Sequence, residues 1–240
     1  MTTSLRSRQQ RGQFQNQPVS YGQSVLGAAL LYFPAQVITS TTGLIIAGTH
    51  GDETASITSL SCALRSIQMS NLHHHVILSM NPDGNQLGTR ANANGVDLNR
   101  NFASQNWQKG GTVYRWNTKE PERDVFIGTG ETGNSEPETQ ALCDLIEQLN
   151  PAWVASFHEP LACIDDPANS TLGQWFANQM NLPVVGDVGY DTPGSFGSWC
   201  AERDLLCVTV ELPPVSSDFA SEEYESMLVK LLTGQESTNF

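Results

Sequence analysis

The sequence predicts a single α/β domain, a mixed but mostly parallel twisted sheet with helices on both faces. Short apolar runs at Leu44–Ala47, Val76–Met80, Trp153–Phe157 and Cys207–Val210 are too short and too rich in β-formers for helices, and read as buried strands. Helix-period segments lie between them, and strands alternating with helices build sheets covered on both sides. At 240 residues and 39% hydrophobic content the chain can bury one sizeable core and is short for two domains.

In chain order, residues 1–20 form an N-terminal extension polar enough to be poorly ordered, and residues 21–240 form the folded domain. Ala28–Phe33 is a first strand. After the strand at Leu44, Ile57, Leu60, Leu64 and Ile67 recur on one face of a helix that follows Glu53. His73, His74 and His75 stand between that helix region and the next strand, and read as a solvated helix terminus rather than a metal tract. The stretch from Phe102 to Asn134, rich in Gly, Thr and charge and carrying Trp107, Tyr114 and Trp116, reads as an ordered loop near a functional site.

"SEPETQALCDLIEQLN" is the best helix in the chain. Ser135 and Glu138 have capping-box spacing, Pro137 sits where a missing N–H costs nothing, and Leu142, Leu145, Ile146 and Leu149 form the apolar face. Leu172, Trp175 and Phe176 mark another helix, and Tyr224, Met227, Leu228 and Leu231 a C-terminal one.

A formal net charge of −13 argues against a nucleic-acid backbone or an anionic membrane surface as partner. No apolar run approaches membrane-spanning length, and the arginines of "MTTSLRSRQQRGQFQNQ" precede no signal-peptide core. Cysteines at 62, 143, 163, 200 and 207 are odd in number and form no C-x-x-C pair, so they read as buried free thiols of a cytoplasmic protein.

The chemistry gathers where strands end. The four buried runs lead into "THGDE", "NPDG", "HEP" and "ELPP", and in open α/β sheets the ligand site lies outside the carboxyl ends of the strands. His50 and Glu53, two residues apart in between, can aim at one point. His158 at the next strand end supplies a third ligand, and a His₂Glu set leaves a fourth position on zinc for water. H-x-x-E alone is a weak signal; the joint placement at strand ends strengthens it. Glu211, ending the apolar "LLCVTV", is the candidate proton acceptor. Asp52 is a candidate to orient His50, since metal-bound imidazoles usually have such a partner. "RANANGVDLNRNF" places two arginines among four asparagines, a composition suited to gripping a carboxylate.

The set His50-x-x-Glu53, "GVDLNRNF", His158 and Glu211 resembles the zinc metallocarboxypeptidases of the carboxypeptidase A type. "LIIAGTHGDE", "NPDG", "RANANGVDLNRNF", "SEPETQAL", "PAWV", "PLACI" and "TPGSFGSWC" extend the likeness to the bacterial cell-wall-recycling members, from about Tyr21 to Tyr224. The resemblance implies a carboxypeptidase A-like fold and one Zn²⁺ per chain held by His50, Glu53 and His158. It makes Glu211 the general base that later protonates the leaving amine, and Arg90 the group that stabilises the oxyanion. Asn99 and Arg100 would hold the C-terminal carboxylate.

The substrate it implies is a small peptide, the murein tripeptide L-Ala-γ-D-Glu-meso-diaminopimelate, cut at the γ-D-glutamyl–meso-diaminopimelate amide. The second amino acid head of diaminopimelate calls for an acidic group and a further donor, neither of which the sequence assigns. The tyrosine that closes over substrate in digestive relatives is not assigned either, Tyr190 standing nearest. Two other readings remain open: an N-acyl amino acid deacylase of the aspartoacylase or succinylglutamate desuccinylase kind, and a zinc-containing module that binds peptides without cutting them. A homodimer is compatible with a small enzyme of this type, although no residue pattern encodes it.

Overall fold

The computed structural model describes residues 5–114 and 125–235. Its strands, in chain order, are β1 (Val19–Gln23), β2 (Ala29–Tyr32), β3 (Leu44–Ile46), β4 (His75–Ile77), β5 (Gly111–Tyr114), β6 (Val125–Gly128), β7 (Trp153–His158), β8 (Cys163–Asp165), β9 (Val184–Val185) and β10 (Leu206–Glu211). The helices are α1 (Thr54–Ser66), α2 (Pro82–Leu87), α3 (Pro137–Leu149), α4 (Thr171–Met180), α5 (Phe196–Ala201) and α6 (Ser217–Leu232).

Six strands form the central sheet in the order β4-β3-β7-β10-β8-β9. β4, β3, β7 and β10 run parallel, so their carboxyl ends share one edge, while β8 turns back antiparallel beside β10. The pairs β1–β2 and β5–β6 are antiparallel hairpins outside this sheet. The second hairpin lies within the 102–134 stretch; Trp116 of that stretch falls outside the described residues, as do residues 1–4 of the N-terminal extension.

Alternation along the strands divides the core in two. Ile45, Val76, Trp153, Ala155, Phe157, Val208 and Val210 pack on one side with Leu60 and Leu64 of α1, Phe176 of α4 and Leu228 of α6. Leu44, Ile46, Ile77 and Val154 pack on the other with Leu142, Leu145 and Ile146 of α3 and Trp199 of α5. The parallel strands β3, β4 and β7 are buried at every position, which is why they read as continuous apolar runs rather than alternating ones.

Two local expectations are corrected. Helix α3 begins at Pro137 as the sequence predicts, but its N-cap is Glu136 and no side chain caps it. Ser135 Oγ instead donates to Glu136 Oε1 (2.8 Å), and Glu136 and Glu138 both accept from Asn92 Nδ2 (2.8 and 3.0 Å), tying the helix start to the 92–96 turn. The histidine triplet is not solvated at its centre or end: His74 and His75 are 1% and 4% exposed. They serve as acceptors for backbone amides, His74 Nδ1 for Gly43 N–H (3.0 Å) and His75 Nδ1 for Ala35 N–H (3.2 Å). The two neutral rings each satisfy one amide that would otherwise be orphaned beside the sheet.

Burial, aided by the neighbouring imidazoles of His73 and His75, pushes the His74 pKa down to about 3. Below the ordinary imidazole value the unfolded chain therefore binds a proton that the folded chain refuses, and stability falls with pH from about 6.5 downward. His74→Asn, whose Oδ1 can still accept from Gly43 N–H, removes this term. Urea titrations at pH 7 and pH 5 should show the parent losing about 2 kcal/mol more than the variant over that interval; parallel losses would refute a buried neutral His74.

Candidate metal centre and substrate pocket

Three of the sheet's parallel strands deliver the chemistry to one edge. The β7–β10 register sets Glu211 opposite His158, and alternation puts both side chains on the α3/α5 face, with Ser156 and Thr209 two residues behind them. From β3 the chain turns sharply through Gly48, at φ 67°, and Gly51, where a Cβ would run into the backbone of Gly84. The turn brings His50 and Glu53 over the strand ends. Glu53 occupies the N-cap position of α1 without capping it; the Glu159 carboxylate does so instead, accepting from Ala55 N–H (2.7 Å) and Ser56 N–H (3.4 Å).

His50, Glu53 and His158 converge, all buried, with their ligand atoms within 4.8 Å of one another. His50 Nδ1 lies 2.6 Å from Glu53 Oε1, His158 Nδ1 lies 2.9 Å from Glu53 Oε2, and the two Nδ1 atoms are 3.1 Å apart. The outer nitrogens are occupied elsewhere: His50 Nε2 meets Asp97 Oδ1 (3.1 Å) and His158 Nε2 meets Ser156 Oγ (3.1 Å). With protons on the Nε2 atoms, both Nδ1 lone pairs aim at a common point beside a carboxylate. Two imidazole nitrogens and one carboxylate oxygen are a donor set that fits zinc.

Electrostatics at this point call for positive charge. Burial and Arg90 disfavour the His50 imidazolium, yet Glu53 and Asp97 outweigh them and raise its pKa to about 8. Burial opposes the Glu53 anion as well, but His50 and His158 hold it far below the usual carboxylate range. Arg90 bridges the two acids, Nε to Asp97 Oδ2 (3.1 Å) and Nη1 to Glu53 Oε1 (3.2 Å).

A pocket of about 120 Å³ opens onto the cluster and is lined by His50, Glu53, His158, Arg90, Asn99, Arg100 and Glu211. All seven residues singled out from the sequence thus face one space. Asn99 Oδ1 accepts from Phe196 N–H (2.9 Å), which leaves its Nδ2 as the donor for a ligand. Arg100 is 5% exposed, its Nη1 donates to Asn99 O (2.7 Å), and its buried Nε has no hydrogen-bond partner among the described residues. Burial, reinforced by Glu53, raises the Glu211 pKa, while His158, the Leu161 N–H (3.4 Å) and His50 act against the rise.

Sequence reasoning missed two residues here, Asp97 and Asp165, and left a third, Tyr190, without a role. The partner that orients His50 is Asp97 and not Asp52, whose buried Oδ1 has no hydrogen bond among the described residues. Asp97 was hidden in the middle of "GVDLNR", forty-seven positions from His50; its signal was a buried acid placed just before the anion-gripping pair. Tyr190 and Asp165 also line the pocket, the first from the loop before α5 and the second from the antiparallel strand β8. Tyr190, the tyrosine standing nearest in the sequence to the one that closes over substrate in digestive relatives, thus lies at the pocket.

Known proteins match this chain throughout. The family model described as zinc carboxypeptidase matches residues 18–164. Murein peptide amidase A of Escherichia coli (strain K12) is 58% identical over 230 residues, covering 96% of this chain and 95% of the relative. Its counterpart in Vibrio campbellii is 60% identical over 232 residues, covering 97% and 94%. The crystal structure of murein-tripeptide amidase from Escherichia coli O157 superposes with a TM-score of 0.93 at 58% identity, over 97% of this chain and 98% of that one. Carboxypeptidase A of Helicoverpa armigera shares the fold, with a TM-score of 0.69 at 16% identity over 92% and 68% of the two chains. Likeness of this extent makes the protein a hydrolytic enzyme: the chain belongs to the zinc carboxypeptidase family.

Proposed function

We propose that this enzyme binds one zinc ion through His50, Glu53 and His158 and hydrolyses the γ-D-glutamyl–meso-diaminopimelate amide of the murein tripeptide. The observation that carries the reading is Arg100: a buried guanidinium with an unpartnered Nε, in the same pocket as the three ligands and Glu211, asks for a carboxylate beside the scissile bond. The relatives named murein peptide amidase, at 58% and 60% identity over nearly the whole chain, support the choice of peptide. Five free thiols suit a reducing compartment, and a cytoplasmic setting is part of the proposal. Among the described residues no helix is long and apolar enough to cross a membrane.

Asn99 Nδ2 and Arg100 grip the α-carboxylate of the terminal residue, which fixes the preceding amide over the ligand cluster and makes the enzyme an exopeptidase. Zinc, when bound, supplies a Lewis acid that polarises the amide carbonyl and lets water attack near neutral pH. Glu211 takes the proton from that water and delivers it to the amide nitrogen as the C–N bond breaks, releasing a carboxylate and an amine. Burial raises its pKa, so it holds a proton more readily than an exposed carboxylate does, which suits a group that takes a proton from water and passes it on. Arg90, pinned by Asp97 and Glu53, offers positive charge to the developing oxyanion without having to reorganise.

The purified protein with one equivalent of zinc should release free diaminopimelate from L-Ala-γ-D-Glu-meso-diaminopimelate and leave the α-linked isomer largely uncut. Chelation should abolish the activity and zinc should restore it; cleavage that survives complete metal removal would refute the metal's role. Glu211→Gln should lower kcat by about 10²–10⁴-fold with KM little changed and metal content still at one. Arg100→Gln should lose about 30-fold or more, chiefly in KM, if it binds the substrate carboxylate; an effect confined to kcat would assign it another role.

A further inference from the structure

The α3/α5 half of the core holds three cysteines: Cys143 of α3 and Cys200 of α5 are buried within it, and Cys207 of β10 packs against it. Alternation along β10 puts Cys207 on the same face as Thr209 and Glu211, and α5 lies against that strand. The Cys200 and Cys207 side chains are hydrogen-bonded to each other. Burial first, then Cys207 and Cys143, raise the Cys200 pKa well above the ordinary thiol value, against Arg203. Cys200 therefore keeps its proton and donates it to the Cys207 sulfur.

The two thiols differ in access. Cys200 is fully buried, whereas Cys207 is half-buried and lines a recess of about 660 Å³. Asp165, Asp166, Asp187, Asp191 and Asp204 line the same recess. Their field repels an anionic reagent such as glutathione disulfide and is indifferent to a small neutral one. An accessible thiol backed by a buried one, behind a negative mouth, suits reaction with hydrogen peroxide. The other cysteines are placed too far away to pair with Cys207: Cys62 sits on α1, across the sheet. Cys163 lies opposite Glu211, four residues along β10 from Cys207 or about 13 Å, beyond the reach of a disulfide.

We propose that Cys207 and Cys200 form a peroxide-sensitive pair that closes to a disulfide and lowers the activity of the enzyme. The Cys207 thiolate attacks one peroxide oxygen, the O–O bond breaks, and hydroxide leaves to take up the proton the thiol had lost, giving a sulfenic acid and water. The Cys200 thiol, already in contact, attacks that sulfur; the S–O bond breaks, the S–S bond forms, and the Cys200 proton leaves with the oxygen as a second water. Sulfur is oxidised and peroxide oxygen reduced, and a thiol reductant reverses the change. A transient disulfide of this kind is compatible with a chain whose five cysteines are free. The bond would join the two elements that carry the site: α5 begins at Phe196, whose N–H holds Asn99 (2.9 Å), and β10 ends at Glu211. Joining thiols that are only hydrogen-bonded draws α5 toward β10, and displacement on the order of 1 Å at a positioning group costs up to about 10²-fold in rate.

The test treats the zinc-loaded enzyme with one equivalent of hydrogen peroxide and reads intact mass, free thiols, metal content and tripeptide cleavage. The parent should lose about 2 Da, with Cys200 and Cys207 recovered in one cross-linked peptide, and kcat/KM should fall about tenfold or more with zinc retained. Dithiothreitol should restore both mass and rate. Cys207→Ser should form no disulfide and keep its untreated rate, and Cys143→Ser should behave as the parent does. Cys200→Ser should stop at a sulfenic acid on Cys207 that dimedone traps, a product that misfolding does not supply. Unchanged thiols, a disulfide to Cys143, faster reaction with glutathione disulfide than with peroxide, or a Cys200–Cys207 bond that leaves kcat/KM untouched would each overturn the proposal. The inference uses the peptidase reading for its rate measurement alone, so a parent that cuts no tripeptide before any oxidant is added would refute that reading, while mass and thiol content still decide the pair.

Discussion

Asp97 is 1% exposed and meets three demands at once. Its Oδ1 accepts from Asn99 N–H (2.9 Å) and pairs with His50 Nε2 (3.1 Å), and its Oδ2 accepts from Arg90 Nε (3.1 Å). The first bond caps the turn over Leu98–Arg100 that presents the proposed carboxylate grip, the second fixes the tautomer of the proposed metal ligand His50, and the third aims Arg90, the arginine proposed for the oxyanion. Burial opposes the charge on Asp97, yet Arg90, His50 and Arg100 hold its pKa well below the ordinary value. A buried anion is tolerated only when it is paired this fully, so the three functions cannot drift apart without stranding a charge. This dependence explains why "GVDLNR" and "THGDE" must meet in space, although no local rule of sequence requires it.

The sheet supplies the other constraint. Parallel pairing of β7 with β10 fixes His158 beside Glu211, and a slip of one residue would turn both side chains to the opposite face, toward α1, α4 and α6. The apolar residues behind them prevent the slip: Trp153, Ala155 and Phe157 on β7 and Val208 and Val210 on β10 belong to one core. Core packing thus sets the distance between His158 and Glu211, the proposed metal ligand and proton-transfer group. The helix that follows Glu53 shows the local cost of this arrangement. Its N-cap side chain is committed to the metal cluster, and a second carboxylate, Glu159, is needed to satisfy the amides of Ala55 and Ser56.

Much of this was legible in the sequence because it was encoded locally. Apolar runs ending in polar turns identify the strands, and strand ends identify the edge where His50, Glu53, His158 and Glu211 meet. What escaped depends on pairing across long distances. Asp52 is adjacent to the ligands in sequence, whereas the carboxylate that reaches His50 comes from Asp97 on another segment. His74 and His75 look like a polar terminus until Gly43 and Ala35 bring their amides to them. Ser135 has the spacing of a cap, but the turn containing Asn92 takes up the carboxylates that a capping box would use. Asp165 could not be foreseen at all, since its place in the pocket depends on β8 reversing direction beside β10.

Net charge gives the site its remaining character. The chain carries −13 overall, and the proposed substrate has three carboxylates against two ammonium groups, so long-range forces between them are repulsive. Attraction must therefore come within a Debye length, about 8 Å at physiological ionic strength, and from groups whose fields water does not screen. Arg100, which is buried, and Arg90, which is mostly so, meet that requirement, since burial strengthens their pull on an anion at contact while contributing little at a distance. A surface lysine cluster would attract acidic molecules indiscriminately. Guanidinium groups set inside a narrow pocket of an acidic protein instead recognise only an anion that can enter, on a ligand small enough to bring its carboxylate past the rim.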